Sequence, residues 1–189
     1  MRILIATASR HGSTRELGRW LGTSITDRLA TGDTSVEVRD AADVDSIAEY
    51  DAVIIGSAVY MGRWLREARS LVEREQTELE SRPVWLFSSG PIGKDSKDAA
   101  SSKDPASSKD PASSKDPASS KWDKAPWAIE HRVFGGKLDR STLSRFERLV
   151  VRLVRAGDGD DRSHDEVDAW ADTICTTLKT GASRSATEQ

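Results

Sequence analysis

The chain alternates between short apolar runs and longer segments whose apolar residues recur every three or four positions. Continuous apolar runs are typical of strands that are covered on both faces of a sheet. Apolar residues at every third or fourth position are typical of an amphipathic helix. We predict strands at residues 3–6, 35–39, 52–56 and 83–88 and around Val133 and Phe134, and helices at 13–29, 64–79, 141–155 and 165–178.

This alternation predicts parallel strands joined by right-handed crossovers. The expected fold class is α/β, with a doubly wound, five-stranded parallel sheet and helices on both of its faces. The strand order 2-1-3-4-5 follows by analogy with doubly wound sheets, because periodicity alone does not give strand order. The length of 189 residues suits one such domain.

A polar repeat interrupts the pattern before the last strand. KDAASS begins at Lys97, and three copies of KDPASS follow it. A period of six residues is too short for a helical solenoid, and the repeat has almost nothing apolar to bury. We predict a disordered insert at about 95–121 in a domain spanning 1–180, and a disordered tail at 181–189. A spacer is favoured over a partner-binding tether.

Composition narrows the function classes. The formal net charge is -3 and no Lys/Arg cluster with interleaved aromatic residues occurs, which argues against nucleic acid. The single cysteine, Cys175, has no partner for an intramolecular disulfide and fits a reducing cytoplasm. The sequence contains no run of about 18 apolar residues, so no transmembrane segment is predicted. Peripheral contact with a membrane stays open.

The loop after the first strand combines hydroxyl side chains with a glycine before a predicted helix. Ligands of doubly wound sheets bind beyond the carboxyl ends of the strands. A helix N-terminus offers N–H groups and partial positive charge that suit a phosphate, and Arg10 would offset phosphate charge. Ser13 and Glu16 also fit a capping box, and a simple capped turn is the alternative. The candidate phosphate-binding residues are Thr7, Ser9, Arg10, His11, Gly12, Ser13 and Thr14.

The pattern T-x-S-x-x-G-S-T at 7–14 resembles the FMN phosphate loop of flavodoxins. The resemblance implies that the loop at 57–64 lies against the isoalloxazine ring and that the loop at 88–93 approaches its other edge. Tyr60 or Trp64 would then stack on the flavin, although Trp64 equally fits an anchor for the next helix. The flavin-binding residues implied for these loops are Ser57, Ala58, Val59, Tyr60, Gly62, Ser88, Ser89, Gly90 and Gly93.

Four segments, DAVIIGSAVYMGRWL, FSSGPIG, VFGGKLD and GDDRSHDEVDAWA, together resemble the flavodoxin-domain family that includes the menaquinone-dependent protoporphyrinogen dehydrogenases. The resemblance covers roughly 1–94 and 125–178. It implies an FMN-dependent oxidoreductase of heme biosynthesis that takes electrons from protoporphyrinogen IX and passes them to a quinone. The alternative is a flavodoxin-type carrier between redox proteins. Carriers usually need a strongly acidic docking face, so a net charge of -3 slightly favours the enzyme.

Other site chemistries fit less well. The loop at 7–14 lacks the Walker and dinucleotide-binding glycine patterns, so ATP and NAD are poor candidates there. The acidic stretch at 157–161 lacks a calcium loop's ligand spacing, and the three histidines have no metal-ligand spacing with Cys175. Cys175 is expected to be a buried structural thiol and His131 a surface residue. A receiver domain needs an aspartate where Ser57 stands, a low-molecular-weight phosphatase needs a cysteine in the first loop, and a flavin-free binding module remains a third class.

Overall fold

The computed structural model describes residues 1–30, 33–60, 62–90, 125–135, 137–138, 159–160 and 163–187. The predicted insert at 95–121, the predicted helix at 141–155 and the candidate residue Gly93 lie outside these ranges. The described helices and strands are β1 (Arg2–Ala8), α1 (Ser13–Arg28), β2 (Ser35–Asp40), a 3-10 helix (Ala41–Asp43), β3 (Ala52–Tyr60), β4 (Arg63–Trp64), α2 (Arg66–Arg74), α3 (Gln76–Glu80), β5 (Val84–Gly90), β6 (Glu130–Gly135), β7 (Lys137–Leu138), β8 (Gly159–Asp160) and α4 (His164–Thr187).

The central sheet has the order β2-β1-β3-β5-β6, and these five strands are parallel to their neighbours. The predicted order 2-1-3-4-5 and the α/β class are therefore confirmed once the short β4 is set aside. β4 pairs antiparallel with β3, and β7 pairs antiparallel with β8 in a separate ribbon. The last strand is held at its start by the Ile129 N–H, which donates to the Val84 carbonyl at 2.8 Å.

Each face of the sheet carries its own apolar core. One core joins β1 to α1 and α4, through side chains such as Ile5, Leu21 and Trp170. The other joins the opposite face of β1 to α2, through side chains such as Leu4 and Leu71. Because alternate residues of a strand point to opposite faces, the continuous apolar runs bury both sides.

The predicted helix at 64–79 is wrong in two places. Trp64 belongs to β4, where its indole is buried and donates to the Ser88 hydroxyl at 2.8 Å. The rest divides at Glu75 into α2 and α3, and the buried Glu75 carboxylate accepts the Ile47 N–H at 3.3 Å. Both departures come from tertiary hydrogen bonds to distant residues, which helical periodicity does not report.

The last helix continues past the predicted domain boundary. α4 extends to Thr187, whereas the sequence places the end of the folded part at Thr180 and a disordered tail at 181–189. Residues 181–187 mix good helix formers, at 182, 184 and 186, with a glycine, two serines and a threonine, so local propensity does not predict the longer helix. Within the described ranges, no helix combines the length and the apolar character that crossing a membrane requires.

Candidate functional site

The strand register brings three predicted segments to one edge of the sheet. At the carboxyl end of β1, Ala8 pairs with Ser57 of β3, and Ser57 in turn pairs with Ser88 of β5. Ala58 pairs with Ser89 one position further on. The loop after β1, the end of β3 and the end of β5 are therefore neighbours, as a ligand site of a doubly wound sheet requires.

The loop after β1 enters α1 through Gly12. Gly12 has a φ of 86°, in the left-handed region that favours glycine. Its carbonyl accepts the Glu16 N–H at 2.9 Å, so the helical ladder starts there and the amides before Glu16 belong to the helix N-terminus. A Cβ added to Gly12 would meet no described atom within 4 Å. The helix start is thus electropositive, and it has open space beside it.

The predicted capping box is wrong. Gly12 is the N-cap of α1, and Ser13 is already the first residue of the helix. Ser13 therefore does not hold the N-cap position that a capping box with Glu16 requires. The positive φ of Gly12 lets the chain enter the helix one residue earlier than the serine pattern indicates.

The candidate residues around this helix start differ in exposure. Thr7 and Thr14 are buried, Ser9 and Ser13 are half-buried, and Arg10 and His11 are exposed. The Thr7 hydroxyl donates to the Arg39 carbonyl at 3.3 Å.

Close packing fixes the height of α1 above the sheet. A Cβ added to Gly18 would lie 2.6 Å from the Thr7 methyl carbon, and one added to Gly22 would lie 2.8 Å from a Val38 methyl carbon. At the start of the helix, Arg15 forms a salt bridge with Asp40 at the end of β2. These contacts position the helix N-terminus over the strand ends.

The predicted loop at 57–64 is largely a strand pair. Tyr60 pairs with Arg63 across the turn, and Gly62 in that turn has a φ of 71°. The Ser57 hydroxyl accepts the Leu65 N–H at 2.9 Å and donates to the Ala58 carbonyl, also at 2.9 Å. The hydroxyl of Ser57 therefore fixes the pair of strands. The three residues that follow it, Ala58, Val59 and Tyr60, are half-buried at the edge.

Trp64 and His131 meet at the buried hydroxyl of Ser88. The Trp64 indole N–H donates to it at 2.8 Å, and the His131 Nε2 lies 2.9 Å from it. The Trp64 and His131 rings are also in edge contact, with centroids 5.8 Å apart. His131 is half-buried, so its expected surface position is wrong. Burial of Trp64 fits the anchoring role and leaves Tyr60 as the accessible ring of the two.

The end of β5 forms the other side of the site. Ser88 and Ser89 are buried, and Gly90 is half-buried. A Cβ added to Gly90 would lie 3.5 Å from the Val59 Cβ, which is ordinary van der Waals distance. The ends of β3 and β5 are therefore in close contact, and the backbone of Gly90 lies at the edge.

One contact joins the first loop directly to β3. The Arg10 guanidinium carbon lies 4.4 Å from the centroid of the Tyr60 ring, within cation–π distance. Both residues are candidates from the sequence, where Arg10 is expected at the phosphate. Arg10 and Tyr60 are far apart along the chain. Only the pairing of β1 with β3 predicts that the two residues lie close together.

The remaining reactive groups lie elsewhere or do not cluster. Cys175 is buried on α4, as predicted, and burial raises the pKa of its thiol. Across the described residues, no three or more His, Cys, Asp or Glu side chains are grouped so that they could hold a metal ion. The carboxyl-terminal edge of the sheet, where β1, β3 and β5 end, remains the candidate site.

The fold and this edge define a doubly wound α/β protein in which the N-terminus of α1 lies beside the ends of the central strands. A family model described as the flavodoxin domain matches residues 4–165. The chain belongs to the flavodoxin-domain family. A search of curated proteins found no match.

Solved structures support the same fold. A flavodoxin from the domain Archaea is 14% identical, with a TM-score of 0.55, and the match covers 95% of this chain and 99% of that one. The metal-soaked Flv1 flavodiiron core from Synechocystis sp. PCC6803 is 13% identical, with a TM-score of 0.56 and coverage of 96% and 36%. A C101S mutant of flavodoxin from Pseudomonas aeruginosa is 11% identical, with a TM-score of 0.51 and coverage of 95% and 99%.

Proposed function

We propose that this chain binds FMN non-covalently at the edge formed by β1, β3 and β5. The observation that carries the proposal is the start of α1 at Gly12, with its positive φ and the open space beside it. Membership of the flavodoxin-domain family supports the choice of flavin over other phosphate ligands. When bound, FMN supplies the electron chemistry, and the chain binds and orients it.

The side chains present fit the parts of FMN. The amides of the helix N-terminus and the hydroxyls of Ser9, Ser13 and Thr14 suit the phosphate. Tyr60 offers an accessible aromatic face for the ring. The backbone at Gly62 and Gly90 offers amide and carbonyl groups without a bulky side chain. The remaining proposed contacts are Thr7, His11, Gly12, Ser57, Ala58, Val59, Ser88, Ser89 and Gly93, and Arg10 lies against the Tyr60 ring at the same edge.

We further propose an enzymatic role, with protoporphyrinogen IX as the hydrogen donor and a quinone as the acceptor. Each oxidation step removes two electrons and two protons from the substrate, and these reduce one quinone to a quinol. Arg10 and Arg63 are both exposed, and both lie beside Tyr60, one through its ring and the other through the strand pair. Two cations at this edge would attract the carboxylates of a porphyrinogen. This role would belong to heme biosynthesis in the cytoplasm.

An electron carrier is the second candidate. Membership of the flavodoxin-domain family supports this role, because flavodoxin-like proteins transfer electrons to redox partners. In that role, a redox protein would dock at the edge. An anaerobic assay with protoporphyrinogen and a menaquinone analogue separates the candidates. Growth of protoporphyrin fluorescence supports the enzyme, whereas reduction of a cytochrome through a reductase, with no porphyrin formed, supports the carrier.

Titration with FMN, followed by quenching of flavin fluorescence, tests the site itself. Thr14→Glu is expected to abolish FMN binding, because it brings a carboxylate to the phosphate position. Thr23→Glu controls for the added charge alone, since Thr23 is exposed on the same helix whereas Thr14 is buried. Full FMN occupancy of Thr14→Glu would contradict the proposed phosphate loop.

Competition by inorganic phosphate keeps this test independent of folding. In the wild-type chain, phosphate is expected to weaken the binding of FMN but not that of riboflavin, which has no phosphate group. The unfolding transition of Thr14→Glu without flavin reports whether the variant is folded. Equal competition against both flavins would contradict a phosphate subsite at the start of α1.

A further inference from the structure

We infer that Arg10 is a positioning residue for Tyr60, and that it acts on the ring side of the flavin site through that tyrosine rather than on the phosphate. The inference rests on the proposed flavin function and assigns Arg10 a different part in it. The observation behind it is the guanidinium carbon of Arg10, 4.4 Å from the centroid of the Tyr60 ring.

The backbone places this contact directly above paired strand ends. Ala8 and Ser57 are partners in the sheet, Arg10 lies two residues beyond the first, and Tyr60 lies three residues beyond the second. Tyr60 is also the last residue of β3, and its backbone is held by Arg63 across the turn. The side chain of Tyr60 projects from a fixed point, and Arg10 reaches it from the neighbouring loop.

A tyrosine ring has two faces, and the guanidinium covers one of them. The inference assigns the opposite face to a flat ligand. Fixing Tyr60 before the ligand arrives lowers the conformational entropy lost on binding, which improves affinity without a direct contact between Arg10 and the ligand. A cation–π contact at an exposed site is worth a modest energy, so the expected effect of losing it is about two- to five-fold in affinity.

FMN and riboflavin distinguish the two roles of Arg10. Both contain the isoalloxazine ring, but riboflavin has no phosphate. If Arg10 positions Tyr60, Arg10→Gln weakens the binding of both flavins by the same factor. If Arg10 pairs with the phosphate, Arg10→Gln weakens the binding of FMN and leaves that of riboflavin unchanged.

The experiment measures dissociation constants of both flavins by fluorescence quenching for the full chain and for Arg10→Gln. Arg19→Gln is the matched control, because it removes the same charge from an exposed position of α1. Thermal unfolding without flavin shows whether Arg10→Gln changes the fold, and an unchanged transition is expected.

A second step repeats Arg10→Gln in a Tyr60→Leu background. The inference expects no further loss of riboflavin affinity there, because the ring that Arg10 holds is gone. A loss confined to FMN, or a full loss in the Tyr60→Leu background, would overturn the inference while the flavin site stands. A wild-type chain that binds neither flavin would overturn both the inference and the proposed function.

Discussion

Gly56, in the middle of β3, is expected to tolerate no side chain. A Cβ added there would lie 2.0, 2.2 and 2.5 Å from three carbons at the tip of the Phe87 ring. The Phe87 ring cannot retreat freely, because it is in edge contact with Phe134 and Trp170, with centroids 5.9 and 6.0 Å away. Gly56→Ala therefore forces extra volume into a packed aromatic cluster.

The magnitude follows from that geometry. The shortest contact must widen from 2.0 Å to at least 3.4 Å before it becomes ordinary van der Waals contact. Displacing a ring that is held on two sides belongs at the upper end of the usual cost of overpacking, about 3 kcal/mol in the free energy of unfolding. For a chain of this length, that corresponds to a fall in Tm of about 6–12 °C.

Urea unfolding followed by tryptophan fluorescence measures this cost, and the six tryptophans supply the signal. Gly181→Ala is the matched control, because a Cβ there meets nothing within 4 Å and a helical alanine is expected to stabilise the chain by about 0.5–1 kcal/mol. Phe87→Leu should relieve the clash, so the cost of the double variant should fall below the sum of the two single costs by at least about 1 kcal/mol. Strictly additive costs, or a neutral Gly56→Ala, would refute the reasoning.

Three further predictions concern the buried side chains of Ser88 and Cys175. Ser88→Ala should lower the free energy of unfolding by about 1–3 kcal/mol, because the buried Trp64 N–H loses its acceptor; an unchanged urea midpoint would contradict this. Cys175 should react with iodoacetamide in proportion to the unfolded fraction, and rapid labelling of the folded chain would argue against its burial. Because burial raises the pKa of the Cys175 thiol in the folded chain, its contribution to stability is present below the ordinary thiol pKa and is lost as the pH rises through the raised pKa, which a series of unfolding curves can follow.

The sheet could be predicted because its information is local. The run at 52–56 is apolar at nearly every position, and that pattern fits a strand buried on both faces. The continuation of β3 to Tyr60 could not be predicted in the same way. It depends on Ser57 accepting the Leu65 N–H and on the burial of Trp64, which are contacts between segments.

The candidate site could likewise be predicted only in part. A glycine before a helix, flanked by hydroxyl residues, is visible in the sequence, and the structure places Gly12 at the start of α1. The contact between Arg10 and Tyr60 requires knowledge that β1 and β3 are adjacent. The position of His131 beside Ser88 likewise depends on the pairing of β5 with β6, because periodicity indicates a strand there but not its neighbour.

The pairing of β5 with β6 has a consequence for the length of chain that connects the two strands. β5 ends at Gly90 and β6 begins at Glu130, yet the two strands lie side by side, and the Ile129 N–H holds the entry to β6. The entropic cost of closing a connection grows only with the logarithm of its length, by about 0.6 kcal/mol for each doubling. For a flexible insert, which the sequence predicts at about 95–121, chains with fewer or more copies of the six-residue KDPASS unit are therefore expected to unfold at nearly the same urea concentration as this one.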